Sequence, residues 1–548
     1  MRKAGVLLPI SSLPSPYGIG TLGKQAYNFV DFLVSAGQSL WQVLPVGPTG
    51  FGDSPYQSFS AMAGNPYFVD LDLLAANGLL LPEELPAAVG AEREKVDYGR
   101  LFETRFAVLA TAAARQNKAA PEYRTFCEQN AFWLDDYALY MAIKEAHGNK
   151  GFQDWPAPLR LRQSEALRAA SAQYAPRVEF WRCVQFFFSG QWCALKRYAN
   201  ARGVDIVGDI PIYVSPDSCD LWANPQLFQL DAGGHPKAVA GVPPDSFSKD
   251  GQLWGNPLYD WRAHKRTRYA WWITRLRQSA QLYDVTRIDH FRGFAGYYAV
   301  PAKDENARRG RWQPGPGADF IRAVHRALPD MRIIAEDLGF LTEEVHELLD
   351  ISGYPGMKVL QFAFDSREES DYLPHNYQRH CVVYTGTHDN NTLAGWVREL
   401  PVNDRVFARR YLGITQRQSL ASALIRAVLS SVAETAVVPM ADWLGLGSEG
   451  RINTPSTLGG DNWRWRLLPG QLTHELARKM RLDTRTWGRL SNIEREKEAL
   501  SATLADQAAT SGTVRAEAGE KSAEKLLSMV VGDIPDDGPE NGEKIKDK

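Results

Sequence analysis

Eight short apolar runs, each closed by a turn signal, constrain the fold of this chain more than any other feature of its sequence. Helical patterns follow several of them; Thr342-Glu343-Glu344, for example, places acidic residues in the first turn of a helix, where the helix dipole favours them. Short strands that alternate with helices predict a parallel sheet, and eight of them predict an α/β fold of the (β/α)8 TIM-barrel type. A doubly wound open sheet is the alternative that the strand count leaves open. The eight runs are Ala4–Pro9, Leu40–Pro45, Val204–Val214, Val285–His290, Arg332–Leu338, Lys358–Phe364, Cys381–His388 and Ala436–Leu444.

The spacing of these runs predicts a large insertion between the second and third strands, from about residue 50 to about residue 200. A single crossover helix needs far fewer residues. Trp133, Tyr137, Tyr140 and Met141 recur within the insertion at helical spacing, which predicts an amphipathic helix that ends near Gly148. We therefore expect a helical subdomain mounted on the barrel.

A second insertion, at about residues 215–261, follows the third predicted strand and has a different composition. Gly, Pro and Asp are frequent, as in Gly241-Val242-Pro243-Pro244-Asp245, and no periodicity is evident. Long loops without regular structure inside a compact domain are usually functional. We expect this one to emerge at the active-site face of the barrel.

The amino-acid composition of the last fifty residues or so differs from that of the rest of the chain. The net charge of the whole chain bears on whether it binds nucleic acid or membranes. We assign residues 1–500 to one catalytic barrel that carries both insertions, and residues 501–548, which lack aromatic side chains, to a low-complexity, disordered tail. The formal net charge of −2 gives no support for a nucleic-acid partner or an anionic membrane surface.

Cysteine usage and the N-terminal sequence bear on location. The five cysteines are an odd number without a CxxC pair, which favours buried free thiols in a reducing compartment over a disulfide or zinc framework. The apolar run Val6-Leu7-Leu8 is broken by Pro9 and is too short for a signal peptide. We expect a cytoplasmic protein without membrane contact, as a monomer or a homodimer.

Four of the predicted strands end in acidic or imidazole side chains. In a parallel barrel these ends converge on one mouth, where the active sites of this fold lie. A lone acid at a strand end is more often a helix N-cap or an ion-pair partner, but four such ends favour a catalytic cluster over a structural ion-pair network. The side chains are Asp209, Asp289 with His290, Glu336 with Asp337, and His388 with Asp389.

A cluster of carboxylates with Arg and His suits the chemistry of glycosidic bonds. One carboxylate attacks the anomeric carbon, and a second, kept protonated, donates to the leaving oxygen and later acts as a base. The attacking group must stay ionised, and the guanidinium of Arg287 lowers the pKa of a carboxyl beside it.

Two alternatives to this chemistry stay open. Asp289-His290 and His388-Asp389 could be metal ligands, although the chain has no HxH pair and no Cys cluster, or the protein could be an inactive glycan-binding module.

Three motifs carry a family resemblance: Arg287-Ile288-Asp289-His290-Phe291-Arg292-Gly293, Ala335-Glu336-Asp337-Leu338-Gly339 and Thr387-His388-Asp389-Asn390. In this order and spacing they resemble the motifs of the 4-α-glucanotransferases (amylomaltases, or disproportionating enzymes) of glycoside hydrolase family 77. The resemblance extends from about residue 5 to about residue 500. Further similar motifs are Leu8-Pro9-Ile10-Ser11-Ser12-Leu13-Pro14, Asp53-Ser54-Pro55-Tyr56-Gln57, Gly64-Asn65-Pro66-Tyr67, Gly208-Asp209-Ile210-Pro211-Ile212-Tyr213 and Trp254-Gly255-Asn256-Pro257.

The resemblance implies a role for each of three carboxylates. Asp289 is implied to be the nucleophile of a retaining reaction, Glu336 the general acid/base, and Asp389 the carboxylate that holds the donor sugar in the transition state. The segment 243–250 is implied to be a flexible lid over the cleft. The implied sugar-binding residues are Ser54, Tyr56, Asp209, Trp254, Arg287, His388 and Asn462.

The same resemblance implies the reaction and the rest of the architecture. The implied fold is a (β/α)8 barrel with large helical insertions and no separate C-terminal β-domain. The implied substrates are α-1,4-glucans and maltooligosaccharides, with no metal and no cofactor. A glucan segment is transferred to the 4-hydroxyl of another glucan or of glucose. An α-amylase-type hydrolase is the alternative, because both enzymes use one set of carboxylates.

Overall fold

The computed structural model describes residues 2–50, 52–85, 94–244, 249–339, 341–491, 494–496, 499–500 and 503 of the 548-residue chain. The chain divides into two compact units, Met1–Arg489 and Leu490–Lys548. The predicted tail at 501–548 lies outside the described residues apart from residue 503, and so do residues 245–248 of the predicted lid. The assignment of domains from the sequence therefore stays a prediction.

Strands in the described residues form two sheets. The strands are β1 Lys3–Leu7, β2 Leu40–Gln42, β3 Asp205–Pro211, β4 Ala238–Val242, β5 Gln252–Pro257, β6 Val285–Asp289, β7 Gly296–Pro301, β8 Arg311–Pro314, β9 Ile333–Ala335, β10 Gly356–Val359, β11 Cys381–Tyr384 and β12 Thr435–Pro439. Eight of these are parallel, in the order β10-β11-β12-β1-β2-β3-β6-β9. The N–H of Ala335 donates to the carbonyl oxygen of Pro355 at 3.0 Å, which brings β9 to the start of β10 and nearly closes the sheet. The predicted (β/α)8 barrel is confirmed.

Every predicted strand overlaps a barrel strand, but the strands are shorter than the apolar runs. The clearest correction is the sixth run, Lys358–Phe364, because its strand is Gly356–Val359 and a short 3-10 helix takes Leu360–Phe362. Leu360 and Phe364 are buried nonetheless. Phe362 of the same run is 46% exposed, so the run marks burial at most of its apolar positions, whereas strand pairing covers only its start.

Helices surround the barrel and build the first insertion. They are α1 Lys24–Ser35, α2 Leu71–Ala76, α3 Tyr98–Arg115, α4 Pro121–Ala146, α5 Ala157–Arg160, α6 Ser164–Gln173, α7 Ala175–Ala201, α8 Cys219–Ala223, α9 Trp261–Arg266, α10 Ala270–Leu282, α11 Gly317–Ala327, α12 Glu343–Ser352, α13 Leu393–Glu399, α14 Val402–Tyr411, α15 Leu420–Ser430, α16 Met440–Leu444 and α17 His474–Thr486. The predicted amphipathic helix is α4, which packs against α7. Its stripe of Trp133, Tyr137, Tyr140 and Met141 is buried, and Gly148 follows its end in the left-handed region at φ +67°.

The second insertion contains regular structure, which corrects the expectation of a long loop. It holds α8, β4 and β5, and these strands join β7 and β8 in an antiparallel sheet of order β5-β4-β7-β8. Ala240 of β4 lies opposite Ala299 of β7, and the neighbouring Val300 is fully buried. The sequence gives little indication of β4, because this strand is short and one of its two partner strands, β7, comes from the segment after β6, far along the chain.

Two further findings concern the helices and the cysteines. Among the helices of the described ranges, none has both the length and the hydrophobicity needed to cross a bilayer. All five cysteines are free thiols, and Cys183, Cys219 and Cys381 are buried. Cys193 is exposed and Cys127 is half-buried, which corrects the prediction that all the thiols are buried.

Candidate active site

The carboxyl ends of β3 and β6 bring three charged side chains together. In the register of these strands, Asp209 lies opposite Arg287 and Pro211 lies opposite Asp289. The Arg287 guanidinium donates from Nη1 to Oδ2 of Asp209 at 2.6 Å and from Nη2 to Oδ1 of Asp289 at 2.9 Å. One arginine therefore bridges two carboxylates on neighbouring strands, at the mouth where the sequence predicted them.

Burial separates the two carboxylates that Arg287 bridges. The Asp209 side chain is 0% exposed, whereas that of Asp289 is 31% exposed. Burial acts to lower the pKa of Arg287, but the two carboxylates outweigh it and raise that pKa well above its ordinary value. Arg287 is therefore a permanent cation that pairs with both Asp209 and Asp289.

Glu336, directly after β9, is buried, in contrast to the partly exposed Asp289. Its Oε2 accepts a hydrogen bond of 2.6 Å from the backbone N–H of His290, and its Oε1 accepts one of 2.8 Å from that of Leu338. Burial, reinforced by the negative charge of Asp289, raises the pKa of Glu336 to about 7. At neutral pH a large fraction of Glu336 is therefore protonated and able to donate a proton.

The backbone of His290 makes this arrangement possible. His290 has φ +54° and ψ +46°, in the left-handed region that side chains other than glycine rarely occupy. The turn directs its N–H towards Glu336, and its ring packs edge-on against Trp254 of β5 with centroids 4.8 Å apart. Burial lowers the pKa of the His290 imidazole to about 4, so the ring is neutral above that pH.

Tyr56, in the loop after β2, connects Asp209 to the end of β11. Its hydroxyl donates to Oδ2 of Asp209 at 2.9 Å and lies 3.2 Å from Nδ1 of His388. The two rings stack, with centroids 4.8 Å apart and planes 19° apart. His388 is thus fixed by a stack and a hydrogen bond to Tyr56, the residue that also contacts Asp209.

Asp389 is held from two sides. Nε2 of His388 lies 3.3 Å from its Oδ1, and the same oxygen accepts a hydrogen bond of 2.7 Å from Nδ2 of Asn453. Arg451 donates from Nη2 to the backbone carbonyl of Asp389 at 2.8 Å. The Asp389 side chain is still 45% exposed, so it remains accessible to a ligand.

The sequence did not single out Arg451 and Asn453. Both lie in an irregular segment that follows α16, and each flanks the buried Ile452. The feature of the sequence that could have indicated them is that two polar residues flank one apolar residue. Their partner Asp389 lies more than sixty residues earlier in the chain, and no local pattern reports such a contact.

The metal-site alternative receives no support from the geometry. Within the part of the chain that the structure describes, no three His, Cys, Asp or Glu side chains are grouped as metal ligands. His388 and Asp389 contact each other and are otherwise engaged by Tyr56 and Asn453. The arrangement therefore suits substrate binding at a cluster of carboxylates better than metal coordination.

Comparison with known proteins adds an independent observation. A family model described as 4-alpha-glucanotransferase matches residues 8–472. The chain belongs to this family, glycoside hydrolase family 77. The 4-alpha-glucanotransferase of Streptococcus pneumoniae is 48% identical over 477 residues, which cover 86% of this chain and 94% of that protein. The 4-alpha-glucanotransferase of Thermus thermophilus is 48% identical over 492 residues, which cover 88% of this chain and 97% of that protein.

A solved structure agrees with the family assignment. The amylomaltase from Streptococcus agalactiae in complex with acarbose aligns with a TM-score of 0.87 at 41% identity, over 90% of this chain and 100% of that one. The family and the enzyme class predicted from the sequence, 4-alpha-glucanotransferase, are confirmed. The barrel class is confirmed by the same likeness.

The remaining predicted sugar-binding residues of this glucanotransferase lie in three places. Ser54 is two residues before Tyr56, and its Oγ accepts from the backbone N–H of Tyr56 at 3.2 Å. Trp254 lies on β5 and donates from its indole nitrogen to Oε1 of Gln252 at 3.1 Å. Contact of Ser54 and Trp254 with sugar stays a prediction.

Asn462 has its side-chain amide engaged within its own loop. Its Oδ1 accepts from the backbone N–H of Thr454 at 2.9 Å. Its Nδ2 donates to Oγ1 of Thr457 at 2.9 Å. These bonds brace the loop at 454–462, and contact of Asn462 with sugar stays a prediction.

Proposed function

We propose that the protein is a retaining 4-α-glucanotransferase that disproportionates maltooligosaccharides through a covalent glycosyl-enzyme. Its substrates are α-1,4-glucans, which accords with an acarbose complex of a relative that is 41% identical. The observation that carries the proposal is the contrast between two neighbouring carboxylates. Arg287 donates a hydrogen bond to Asp289 at 2.9 Å, while burial raises the pKa of Glu336 to about 7. Two carboxylates with opposite environments divide into a nucleophile and a proton donor.

In the first half-reaction Asp289 attacks the anomeric carbon of the donor sugar. A bond forms between C1 and a carboxylate oxygen of Asp289 as the C1–O4 glycosidic bond breaks. Glu336 gives its proton to the departing O4, so the leaving glucan carries a neutral hydroxyl. The sugar is now bound covalently with inverted configuration, and Glu336 is ionised.

In the second half-reaction the 4-hydroxyl of another glucan or of glucose enters. Glu336 accepts the proton of that hydroxyl as its oxygen bonds to C1, and the bond between C1 and Asp289 breaks. The second inversion restores the α configuration, and both carboxyl groups return to their starting state. Asp389 binds donor hydroxyls through both steps and stabilises the positive charge that develops on the sugar ring.

The alternative is an α-amylase-type hydrolase, in which water replaces the acceptor. The aromatic residues at the site favour transfer, because the partly exposed Tyr56 and Trp254 offer apolar surfaces to sugar rings and limit the entry of water. The four-stranded sheet that carries Trp254 borders the cleft beside His290. These residues would shield the covalent intermediate until an acceptor sugar binds.

Incubation with maltotriose alone distinguishes transfer from hydrolysis. Each transfer conserves the number of reducing ends, whereas each hydrolysis adds one. We expect glucose and longer maltooligosaccharides to form while the total of reducing ends stays constant. Maltose and glucose with a matching rise in reducing ends would favour the hydrolase.

The same assay tests the nucleophile. Asp289→Ala should abolish product formation, because no covalent intermediate can form. The matched control is Asp350→Ala, which removes an exposed carboxylate of α12 and should retain wild-type activity. Turnover by the Asp289→Ala enzyme would contradict the assignment of Asp289.

A further inference from the structure

Three hydrogen bonds join the segment 451–453 to residues 388–389. Nδ2 of Asn453 donates to Oδ1 of Asp389 at 2.7 Å, and the backbone N–H of Asn453 donates to the carbonyl of His388 at 3.1 Å. Nη2 of Arg451 donates to the carbonyl of Asp389 at 2.8 Å. Two of these bonds fix the backbone of the 388–389 turn, and one fixes the Asp389 carboxylate itself.

We propose that Asn453 is a positioning residue for the transfer reaction, which it serves by holding Oδ1 of Asp389 so that Oδ2 faces the donor sugar. The inference rests on the proposed role of Asp389 in the transition state. Asn453 acts through Asp389 and contacts no reacting atom.

The distribution of partners on Asp389 supports this role. Asn453 and His388 both approach Oδ1, at 2.7 and 3.3 Å. A carboxylate fixed through one oxygen keeps its second oxygen free to accept hydrogen bonds from sugar hydroxyls. Without the amide, the half-exposed carboxylate could rotate and lose that orientation. Small errors in the placement of a group that stabilises a transition state are costly in rate.

Arg451 strengthens the connection between the segment 451–453 and residues 388–389. Its Nε donates to the carbonyl of Asn453 at 2.7 Å while its Nη2 bonds to Asp389, so one guanidinium spans both segments. The loop that follows is fixed by Asn462, which bonds to Thr454 and Thr457. Asn453 is therefore held on both sides, as a group that orients another side chain must be.

Asn453→Asp is the sharpest test, because it replaces an N–H donor with a carboxylate of the same shape. Two carboxylates at this distance cannot both ionise readily, so the pair retains a shared proton at low pH and loses it as the pH rises. The protonated pair can imitate the amide, whereas the ionised pair repels. His388, Arg451 and the hydroxyl of Tyr56 are the other titratable groups near Asp389, and the substitution leaves them in place.

The readout is the ratio of the variant kcat to the wild-type kcat with saturating maltotriose across pH. Titration of Glu336 occurs in both enzymes and cancels in the ratio. We expect the ratio to fall by about tenfold or more between about pH 5 and about pH 8. The matched control is Asn376→Asp, because Asn376 is exposed and its Nδ2 donates to the carbonyl of Ser370 at 3.0 Å, away from the site, and its ratio should not vary with pH.

Asn453→Ala provides a second test that involves no new charge. We expect kcat to fall by about 10- to 100-fold while KM for maltotriose changes much less, since orientation of Asp389 matters most in the transition state. Thermal unfolding of each variant verifies that it is folded. Wild-type kcat in Asn453→Ala would overturn the inference.

A pH-independent ratio for Asn453→Asp, or the same fall in Asn376→Asp, would also overturn it. Asp389→Ala separates this inference from the proposed function. If Asp389→Ala is inactive and the Asn453 variants behave as wild type, only the positioning role is wrong. If Asp389→Ala retains wild-type kcat, the role of Asp389 fails, and the inference about Asn453 fails with it.

Discussion

The backbone N–H of His290 donates a hydrogen bond of 2.6 Å to Oε2 of Glu336. Because His290 directly follows Asp289, this bond places the proposed acid beside the proposed nucleophile. His290 makes this hydrogen bond from a left-handed backbone conformation, with φ +54°. The geometry of the reaction therefore depends on a main-chain turn as well as on the carboxylates.

Glu336→Gln should reduce kcat/KM for maltotriose by about 10²- to 10⁴-fold, because the leaving O4 then receives no proton. The shape of the side chain and its hydrogen bond to His290 are largely conserved. Steady-state kinetics measure the effect. Glu347→Gln, which changes an exposed glutamate of α12, is the control and should leave the kinetics unchanged.

The pH dependence of kcat/KM should have a basic limb near pH 7. Glu336 must be protonated to act, and burial raises its pKa to about 7, so the rate should fall as the pH rises through that value. Initial rates with maltotriose between about pH 5 and about pH 9 measure this limb. A profile that stays flat to about pH 9 would contradict the role of Glu336 as the acid.

Glu336 should also make stability depend on pH. Its folded pKa of about 7 is above the ordinary value of 4.5, so between these values the folded state binds more protons and stability falls as pH rises. Glu336→Gln lacks this penalty, which is on the order of 3 kcal/mol at full ionisation. The Tm of the variant relative to wild type should therefore increase from about pH 4 to about pH 8. A constant difference would show that Glu336 is not destabilised by burial.

Arg287→Ala should destabilise the protein by about 3–5 kcal/mol, because it leaves the buried carboxylate of Asp209 without its cation. Urea denaturation measures the free energy of unfolding. The control is Arg332→Ala, whose half-exposed guanidinium pairs with Asp205 at 3.0 Å and should contribute no more than about 1 kcal/mol. Equal losses in the two variants would mean that Arg287 acts only as an ordinary ion-pair partner.

Much of the barrel could be predicted because its strands are buried on both faces. Such strands read as continuous apolar runs, and the acids that end β3 and β6 stand out against them. The sequence could not predict β4 or β5 of the small sheet. Part of their pairing is with β7, a strand from a distant segment, and both strands are short and contain a glycine.

The site was predicted to the extent that its residues lie in distinctive local motifs. Arg287 and Asp289 share one strand, so their proximity follows from the alternation of side chains. Asn453 could not be found in this way, because its contact with Asp389 is made between two loops. The sequence could not indicate the hydrogen bonds of Asn462 within its own loop either, since Gly459-Gly460-Asp461-Asn462 is typical of any turn.

The central claim is that Asp289 carries the glycosyl group, and trapping that intermediate tests it most directly. Glu336→Gln should still react with α-maltosyl fluoride, because fluoride leaves without a proton, but it lacks the base that activates an acceptor. Intact-protein mass spectrometry should then show an increase of one maltosyl group, and fragmentation should locate it on Asp289. The absence of an adduct, or an adduct on any other residue, would contradict the account.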